Sequence, residues 1–425
     1  MIDMTLEYAK RQDADDALSA FRERFYLPDG IYMDGNSLGL MSKDAEQSLL
    51  AAAEEWKRLG INGWLDADPQ WHFYGETLGG MAARMVGAEP EEVCMACSTT
   101  VNMHNLVATF YRPEGTRTKI LADELNFPST LYALQSQIRL HGLDPREHLV
   151  MVKSRDGLTL AEEDIIEAMD DTVGLVVLPA VLYRSGQLLD LRRLAEEAHQ
   201  RGIVIGFDCA HSAGSVAHSF DEDGIDFATW CSYKHFNGGP GSPAFLYVNR
   251  RHFSRQPGLA GWYGFIRERQ FDMDPWFDHA ERAGGWQIGT PHVLSAAPLF
   301  GTLKMFGEAG IGCIREKSLR LTRYFMELAE EKLIRTGCGF ALGTPCEPER
   351  RGGHVALLHD EAWRICCALK ARGVIPDYRP PNVIRIAPTA LYNTFEEVWR
   401  VVEILKQIAT GHEYEQFSQK RDIVS

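Results

Sequence analysis

Nowhere in the chain do about 18 uncharged apolar residues run together, and the start, Met1-Ile2-Asp3-Met4-Thr5, is polar and acidic with no apolar signal region. A protein of the cytoplasm is expected, with neither a spanning helix nor a leader. Basic charge is also short: 44 Lys and Arg stand against 59 Asp and Glu, a net charge of -15. That balance argues against a sequence-independent grip on nucleic acid or an anionic membrane, so any phosphate must be bound locally. Low-complexity tracts, long Gly/Ser runs and internal repeats are missing, and disorder is not expected. The nine cysteines are an odd number; Cys209, Cys231, Cys366 and Cys367 sit in apolar segments, as reduced core thiols do. Cys94 and Cys97 have CxxC spacing, but no second pair or nearby His cluster completes a zinc site, and no metal is expected.

What is present is enough apolar sequence for a large core. At 425 residues the chain exceeds one ordinary domain, and a large domain with a smaller partner is expected. The first thirty residues read as an amphipathic lead-in, with Phe21, Phe25 and Leu27 among charges, closed by the Pro28-Asp29-Gly30 turn. Ile31 to Leu40 is a short strand breaking into a glycine-bearing loop, Ser42 an N-cap for a helix to about Leu59, and Tyr74 to Val86 a helix closed by Gly87. Apolar strands are expected at 119–122, 174–178, 203–207, 227–231 and 244–248, several near-continuously apolar, as strands buried on both faces are. Helices at 101–111, 129–141, 162–169 and 191–201 fall between them, with Asp190 as N-cap and Gly202 as stop. This alternation specifies an α/β domain on a mostly parallel sheet. After about Pro298 long helices (314–333, 361–372, 396–408) with strands near 354–358 and 383–386 read as a smaller α+β unit. The expected division is 1–40, 41–298 and 299–425.

Ligands of open α/β sheets bind at the carboxyl ends of the strands, and four groups are placed there. The chain is organised around Trp230-Cys231-Ser232-Tyr233-Lys234, at the end of an apolar run and followed by Asn237-Gly238-Gly239-Pro240-Gly241, which cannot continue a strand. A lysine amine so placed condenses with an aldehyde, and pyridoxal phosphate (PLP) is the common aldehyde cofactor held this way; the alternative is a solvated lysine at a strand end. Ser98-Thr99-Thr100 follows the apolar turn Val93-Cys94-Met95-Ala96 and opens a helix whose first N–H groups could hold a phosphate, or be no more than a cap. Asp208 ends the run from Ile203 and needs a buried partner, which a protonated pyridine nitrogen would supply. His211 follows within the same turn and could contact that ring or be a satisfied structural histidine. Tyr233 beside the lysine could bind the phosphate or act as an acid or base.

These motifs, with Asp34-Gly35-Asn36-Ser37-Leu38-Gly39, Phe127-Pro128-Ser129, Leu182 to Gln187, Gly261-Trp262, Gln287 to Pro291 and Arg385-Ile386-Ala387-Pro388, form an ordered set that resembles the kynureninases over nearly the whole chain. The resemblance implies PLP fold type I of the aspartate aminotransferase superfamily: a mostly parallel mixed sheet flanked by helices in a large domain, with a smaller α+β C-terminal domain. It implies hydrolysis of L-kynurenine, or its 3-hydroxy form, to anthranilate or 3-hydroxyanthranilate and L-alanine, a step of tryptophan catabolism. It implies cofactor contacts at Thr99, Thr100, Phe127 (over the ring), Pro128, Ser129, Thr130, Asp208, His211, Tyr233 and Lys234. Trp262 and Thr290 match positions that complete the site, partly from the other subunit of a homodimer. Arg385 matches the receptor of the substrate's α-carboxylate, and Trp64, Gly289 and Thr290 the aryl pocket. Lys234, Tyr233 and Asp208 are the expected catalytic residues. Trp262 and Phe127 as core aromatics, and Arg385 as a structural ion pair, are the alternatives.

The chain also departs from the family pattern. Thr130 stands where Asp is usual, which leaves Asp208 to hold the ring alone; His235-Phe236 replaces Tyr-Leu, Gly238 and Ser242-Pro243 alter the glycine loop, and Pro179-Ala180 replaces a small hydroxyl residue. Two other readings stay open: a different PLP reaction at Cβ or Cγ, for which desulfuration would need a cysteine on a mobile glycine-rich loop, and a PLP-binding protein without catalysis.

Overall fold

The computed structural model describes residues 4–421. Its centre is a seven-stranded sheet made of β1 (Val93–Ala96), β2 (Lys119–Asp123), β3 (Leu149–Val152), β4 (Val173–Pro179), β5 (Val204–Asp208), β6 (Phe227–Trp230) and β7 (Ala244–Val248), in the order β1-β7-β6-β5-β4-β2-β3. The pairs from β6 to β3 are parallel, and β7 alone runs against both its neighbours. Register aligns the functional ends: Pro179 pairs with Asp208, and Asp208 with Thr229, so the loops after β4, β5 and β6 leave the sheet side by side. Apolar runs without alternation were the sign of these strands, and β6 and β7 are indeed buried throughout. The helices at Thr99–Phe110, Pro128–Leu140, Glu162–Glu167 and Leu191–Gln200 lie between the strands in sequence. Ser42 caps Lys43–Leu59 through the Ala45 N–H at 3.0 Å, and Asp190 caps Leu191–Gln200 through the Arg193 N–H at 3.0 Å.

Two segments differ from expectation. Val93–Ala96 is not a turn but the edge strand β1, buried at every residue and paired antiparallel with β7; four residues without a polar alternation gave no strand signature of their own. Leu149–Val152, for which no element was expected, is the opposite edge strand β3, half exposed and directly following a short charged helix.

A second sheet, wholly antiparallel, holds β8 (Ala341–Leu342), β9 (Val355–Leu358), β10 (Asp377–Arg379) and β11 (Val383–Ile386), in the order β10-β11-β9-β8. Its core is shared with the helices Ile311–Ala329, Ala362–Ala371 and Phe395–Thr410, and it takes in Ala9 and Met33 from the start of the chain. The Asp13 carboxylate accepts the Phe395 and Glu396 N–H groups at 2.6 and 2.9 Å, capping the last long helix from the first one. Ile31 and Tyr32 pair in parallel with Val374 and Ile375, so the lead-in is woven into the C-terminal unit before the chain enters the large sheet. Among the described residues no helix is long and apolar enough to cross a membrane.

One buried carboxylate staples the large sheet. Asp226 accepts from the Ile205 N–H (2.8 Å), His199 (3.0 Å), His252 (2.6 Å) and Arg251 (2.7 Å). Burial alone would push its carboxyl up, but the bonds from His199, His252, Ile205 and Arg251 outweigh it and hold it below its usual 3.8. A carboxyl depressed by folding stabilises above the unfolded value, and the gain is lost as pH falls through the folded one. Asp226→Asn should therefore melt lower at pH 7, by the equivalent of about 3 kcal/mol, with the gap to wild type narrowing as the medium is taken below pH 4; a constant gap would assign the loss to packing.

Candidate active site

The loop after β6 carries Lys234 and is closed on itself. Ser232 Oγ meets Ser242 Oγ at 2.5 Å and also donates to the Pro243 carbonyl, Gly238 N–H reaches back to Ser232 O at 2.9 Å, and Asn237 takes the left-handed conformation (φ 56°). Gly39 N–H donates to Tyr233 O at 2.8 Å. A Cβ at Gly39 would fall 2.4 Å from Lys234 O, so only glycine lets the lead-in reach the lysine loop.

A cleft opens over this loop. Thr99, Thr100, Phe127, Ser129, Thr130, Asp208, His211, Tyr233 and Lys234 all line it. They come from the carboxyl ends of β1, β2, β5 and β6 and the helices that follow, as the open-sheet rule requires. Tyr183, beyond β4, also lines it, with its ring edge-on to Phe127 at 5.3 Å. Phe127 is 45% exposed, which removes the reading of a core aromatic.

Lys234 Nζ lies 2.9 Å from His211 Nε2 and 6.0 Å from the Phe127 ring centre. Burial is the main cause that lowers the Lys234 ammonium below its ordinary value; Arg385 and Arg379 add to the effect, while Cys231 and Asp208 oppose it. A lysine held this way loses its proton more readily than a solvated one and is the better nucleophile for it. Asp208 accepts the Thr130 hydroxyl at 2.9 Å and the Ala210 N–H at 2.9 Å. Thr130 thus replaces a second acid with a hydrogen-bond donor to Asp208. Burial raises the Tyr233 phenol, with Cys231 and Asp208 adding to the shift, so it remains protonated at neutral pH.

These residues fit a planar phosphorylated aldehyde. Ser98, at the N-cap of the Thr99–Phe110 helix, makes no side-chain capping bond, so the first N–H groups of a 12-residue helix face the cleft uncapped beside the Thr100–Ser129 hydroxyl pair (2.6 Å). A carboxylate, an aromatic face and a desolvated amine complete the set.

The remaining expected residues do not line the cleft. Pro128 is the exposed first residue of its helix. Trp64 is half-buried and edge-on to Trp71 at 5.9 Å. Gly289 and Thr290 are exposed, the Gly289 backbone lying against the Cys97 thiol beside the helix start. Trp262 is 44% exposed on a turn held by its carbonyl's bond from Gln270 at 2.8 Å, and so is no core residue. Arg385 is 1% exposed and paired with Asp377, with further bonds to Tyr183 O at 2.7 Å and Ser37 Oγ at 3.0 Å. The ion-pair alternative therefore describes its contacts, and it reaches the cleft through Tyr183. Tyr183 and Asp377 were given no role from the sequence. The end of β4 signals the first, and two short apolar runs around a Pro-Pro-Asn turn signal the hairpin that sets Asp377 opposite Arg385.

Two family models match the chain: aminotransferase class-V over residues 76–339 and the kynureninase C-terminal domain over 314–405. A kynureninase of Geobacillus thermodenitrificans is 58% identical over 425 residues, covering 100% of this chain and 99% of its own. Those of Bacillus mycoides and Shouchella clausii are 57% and 54% identical over 422 residues, each covering 99% of this chain and 98% of theirs. Among solved structures, a C-DES variant with glycine covalently linked to its PLP cofactor superposes with a TM-score of 0.79 at 16% identity, covering 91% of this chain and 98% of that one. A cysteine desulfurase of Thermococcus onnurineus gives 0.75 at 19%, covering 90% and 95%. At these identities the likeness is one of fold.

Thr130→Val removes a donor from a buried carboxylate, worth about 1–2 kcal/mol. PLP should be retained roughly tenfold more weakly, as read by fluorescence titration of the apoprotein; unchanged retention would make the Thr130 bond irrelevant to the cofactor.

Proposed function

Because the chain belongs to the kynureninase family, PLP-dependent hydrolases that cleave the Cβ–Cγ bond of L-kynurenine to give anthranilate and L-alanine, we propose that it does this chemistry in the cleft built on Lys234. The observation that carries the assignment is a half-buried amine in the cleft whose hydrogen-bond partner is an imidazole and not an acid. Thr99, Thr100 and Ser129 would hold the phosphate, Phe127 the ring face, and Asp208 the ring nitrogen. When bound there, PLP supplies an aldehyde that captures the substrate's amine and a ring that takes up the electrons released at Cα.

Lys234 Nζ, once free, removes the proton from the substrate's Cα, a task its lowered basicity suits. Asp208, oriented by Thr130 and the Ala210 N–H, would hold the protonated ring nitrogen. The Tyr233 phenol holds its proton at neutral pH and is the donor and acceptor for water adding at the γ-carbonyl and for the carbon released. Arg385 would receive the α-carboxylate, with Asp377 fixing the guanidinium plane behind it.

The active form is proposed to be a cytoplasmic homodimer. Trp262, Gly289 and Thr290 stand exposed and outside the cleft of a single chain, where a second copy could bring them to its neighbour's site, with Trp64 completing the aryl pocket. The nine free thiols suit a reducing compartment. Residues 299–425, with the lead-in packed on them, are proposed to act as the small domain.

L-kynurenine given to the PLP-loaded protein should lose its absorbance as anthranilate fluorescence appears, and Lys234→Ala should cut turnover by roughly a thousandfold or more. No anthranilate from kynurenine or its 3-hydroxy form would overturn the reading, and the ratio of the two rates assigns the preferred ring. Light scattering should give twice the chain mass; a fully active monomer would sink the shared site.

A further inference from the structure

Phe127 has a task that its own position does not secure. It is the N-cap of the Pro128–Leu140 helix and 45% exposed, so no core holds its ring. An exposed aromatic turns among several rotamers, yet a ring that is to lie flat on a planar cofactor must keep one face toward the cleft. Among the described residues the one aromatic side chain against it is Tyr183, 5.3 Å away between ring centres and at 85°. Rings that meet nearly at a right angle attract edge to face, and the contact opposes rotation of either.

Tyr183 is itself fixed from behind. Its carbonyl accepts Arg385 Nη1 at 2.7 Å. It stands in a turn closed by the Leu182 N–H on Gln187 O and the Gly186 N–H on Leu182 O, both at 2.9 Å, with Gly186 in the left-handed region (φ 75°). The antiparallel unit holds that turn from outside: the Gly352 N–H donates to Gly186 O at 2.8 Å, the Leu188 N–H to Arg350 O at 2.9 Å, and the Thr344 hydroxyl to Ser185 O. The Gln187 side chain bonds both the N–H and the carbonyl of Leu160 at 2.7 Å. The main chain of Tyr183 thus belongs to the seam between the two sheets, while its side chain lines the cleft between Phe127 and His211, whose ring centre is 6.4 Å away.

We propose that Tyr183 is a positioning residue whose ring braces Phe127, setting the face offered to the cofactor before PLP arrives. Fixing a group in its bound orientation gains affinity by removing an ordering cost from the binding step. The bond to Arg385 comes from the main chain, so the side chain can be changed without withdrawing it. The brace is a contact between rings, so phenylalanine can supply it. This role rests on the reading that the cleft holds PLP on Lys234 with Phe127 at the ring face.

PLP titrated into the apoprotein should bind Tyr183→Leu about fivefold more weakly than wild type, and the visible circular dichroism of the bound cofactor should fall, while Tyr183→Phe keeps both. KM for L-kynurenine at saturating PLP should stay within about twofold in either variant. Combined with Phe127→Leu, Tyr183→Leu should add no further loss of PLP affinity to that of Phe127→Leu alone. Additive losses overturn the proposal; so do wild-type affinity and dichroism in Tyr183→Leu, equal losses in the Leu and Phe variants, or a raised KM with PLP affinity unchanged. Tyr183→Met replaces the Leu variant if that chain does not fold, with the same outcomes. Borohydride fixation of PLP followed by peptide mapping separates the two readings. Fixation on a lysine other than Lys234 overturns the function assigned to the cleft and this proposal with it, and fixation on Lys234 with additive losses overturns the proposal alone. Non-additive losses in a protein that yields no anthranilate support the proposal and overturn the function.

Discussion

The structure depends on seating one half-buried amine without giving it a counter-ion in contact. A buried ammonium beside a carboxylate would be a stable ion pair and a poor nucleophile. Here Lys234 meets the imidazole of His211, and the acid of the site, Asp208, is bonded to Thr130 and a backbone N–H. Base and acid are thus kept apart within one cleft. The parallel register of β4, β5 and β6 achieves this by setting their ends abreast, so that consecutive strands deliver different chemistry to neighbouring positions.

The same logic governs Arg385. A guanidinium buried alone would be costly, and Asp377 in the facing strand neutralises it while fixing its plane. The pair is polar architecture rather than added stability, since buried ion pairs roughly break even against apolar residues of the same shape. Its value lies in a cation with a set orientation at the seam between the two sheets, where its bond to Tyr183 ties the antiparallel sheet to the cleft wall.

Much of this was legible in the sequence. Asp208, Lys234 and the Ser98-Thr99-Thr100 helix start each follow an apolar run, and a strand end is a position that one-dimensional patterning can find. Long helices with caps, such as Lys43–Leu59 behind Ser42, were equally plain. The edge strands were not: β1 is too short to show a period, and β3 is half exposed, so neither carries the signature of a buried strand. Asp377 escaped because its role depends on pairing across the antiparallel sheet, which no local pattern records. The substitution of Thr130 for an acid read as a loss in sequence, and only the 2.9 Å bond shows it to be a donor to the remaining carboxylate. Trp64, Trp262 and Thr290 remain outside the cleft of one chain, where no reading of that chain alone could seat them.

The lead-in strand has a consequence for the order in which the molecule is made. Ile31 and Tyr32 pair with Val374 and Ile375, almost the whole chain away, and a few residues on Gly39 is bonded to the lysine loop. A ribosome must therefore release nearly all of the sequence before the lysine's surroundings can be completed. Closing so long a loop is slow relative to local helix formation. The strands of the large sheet lie close to one another in sequence, whereas the lead-in's contacts must close these long loops.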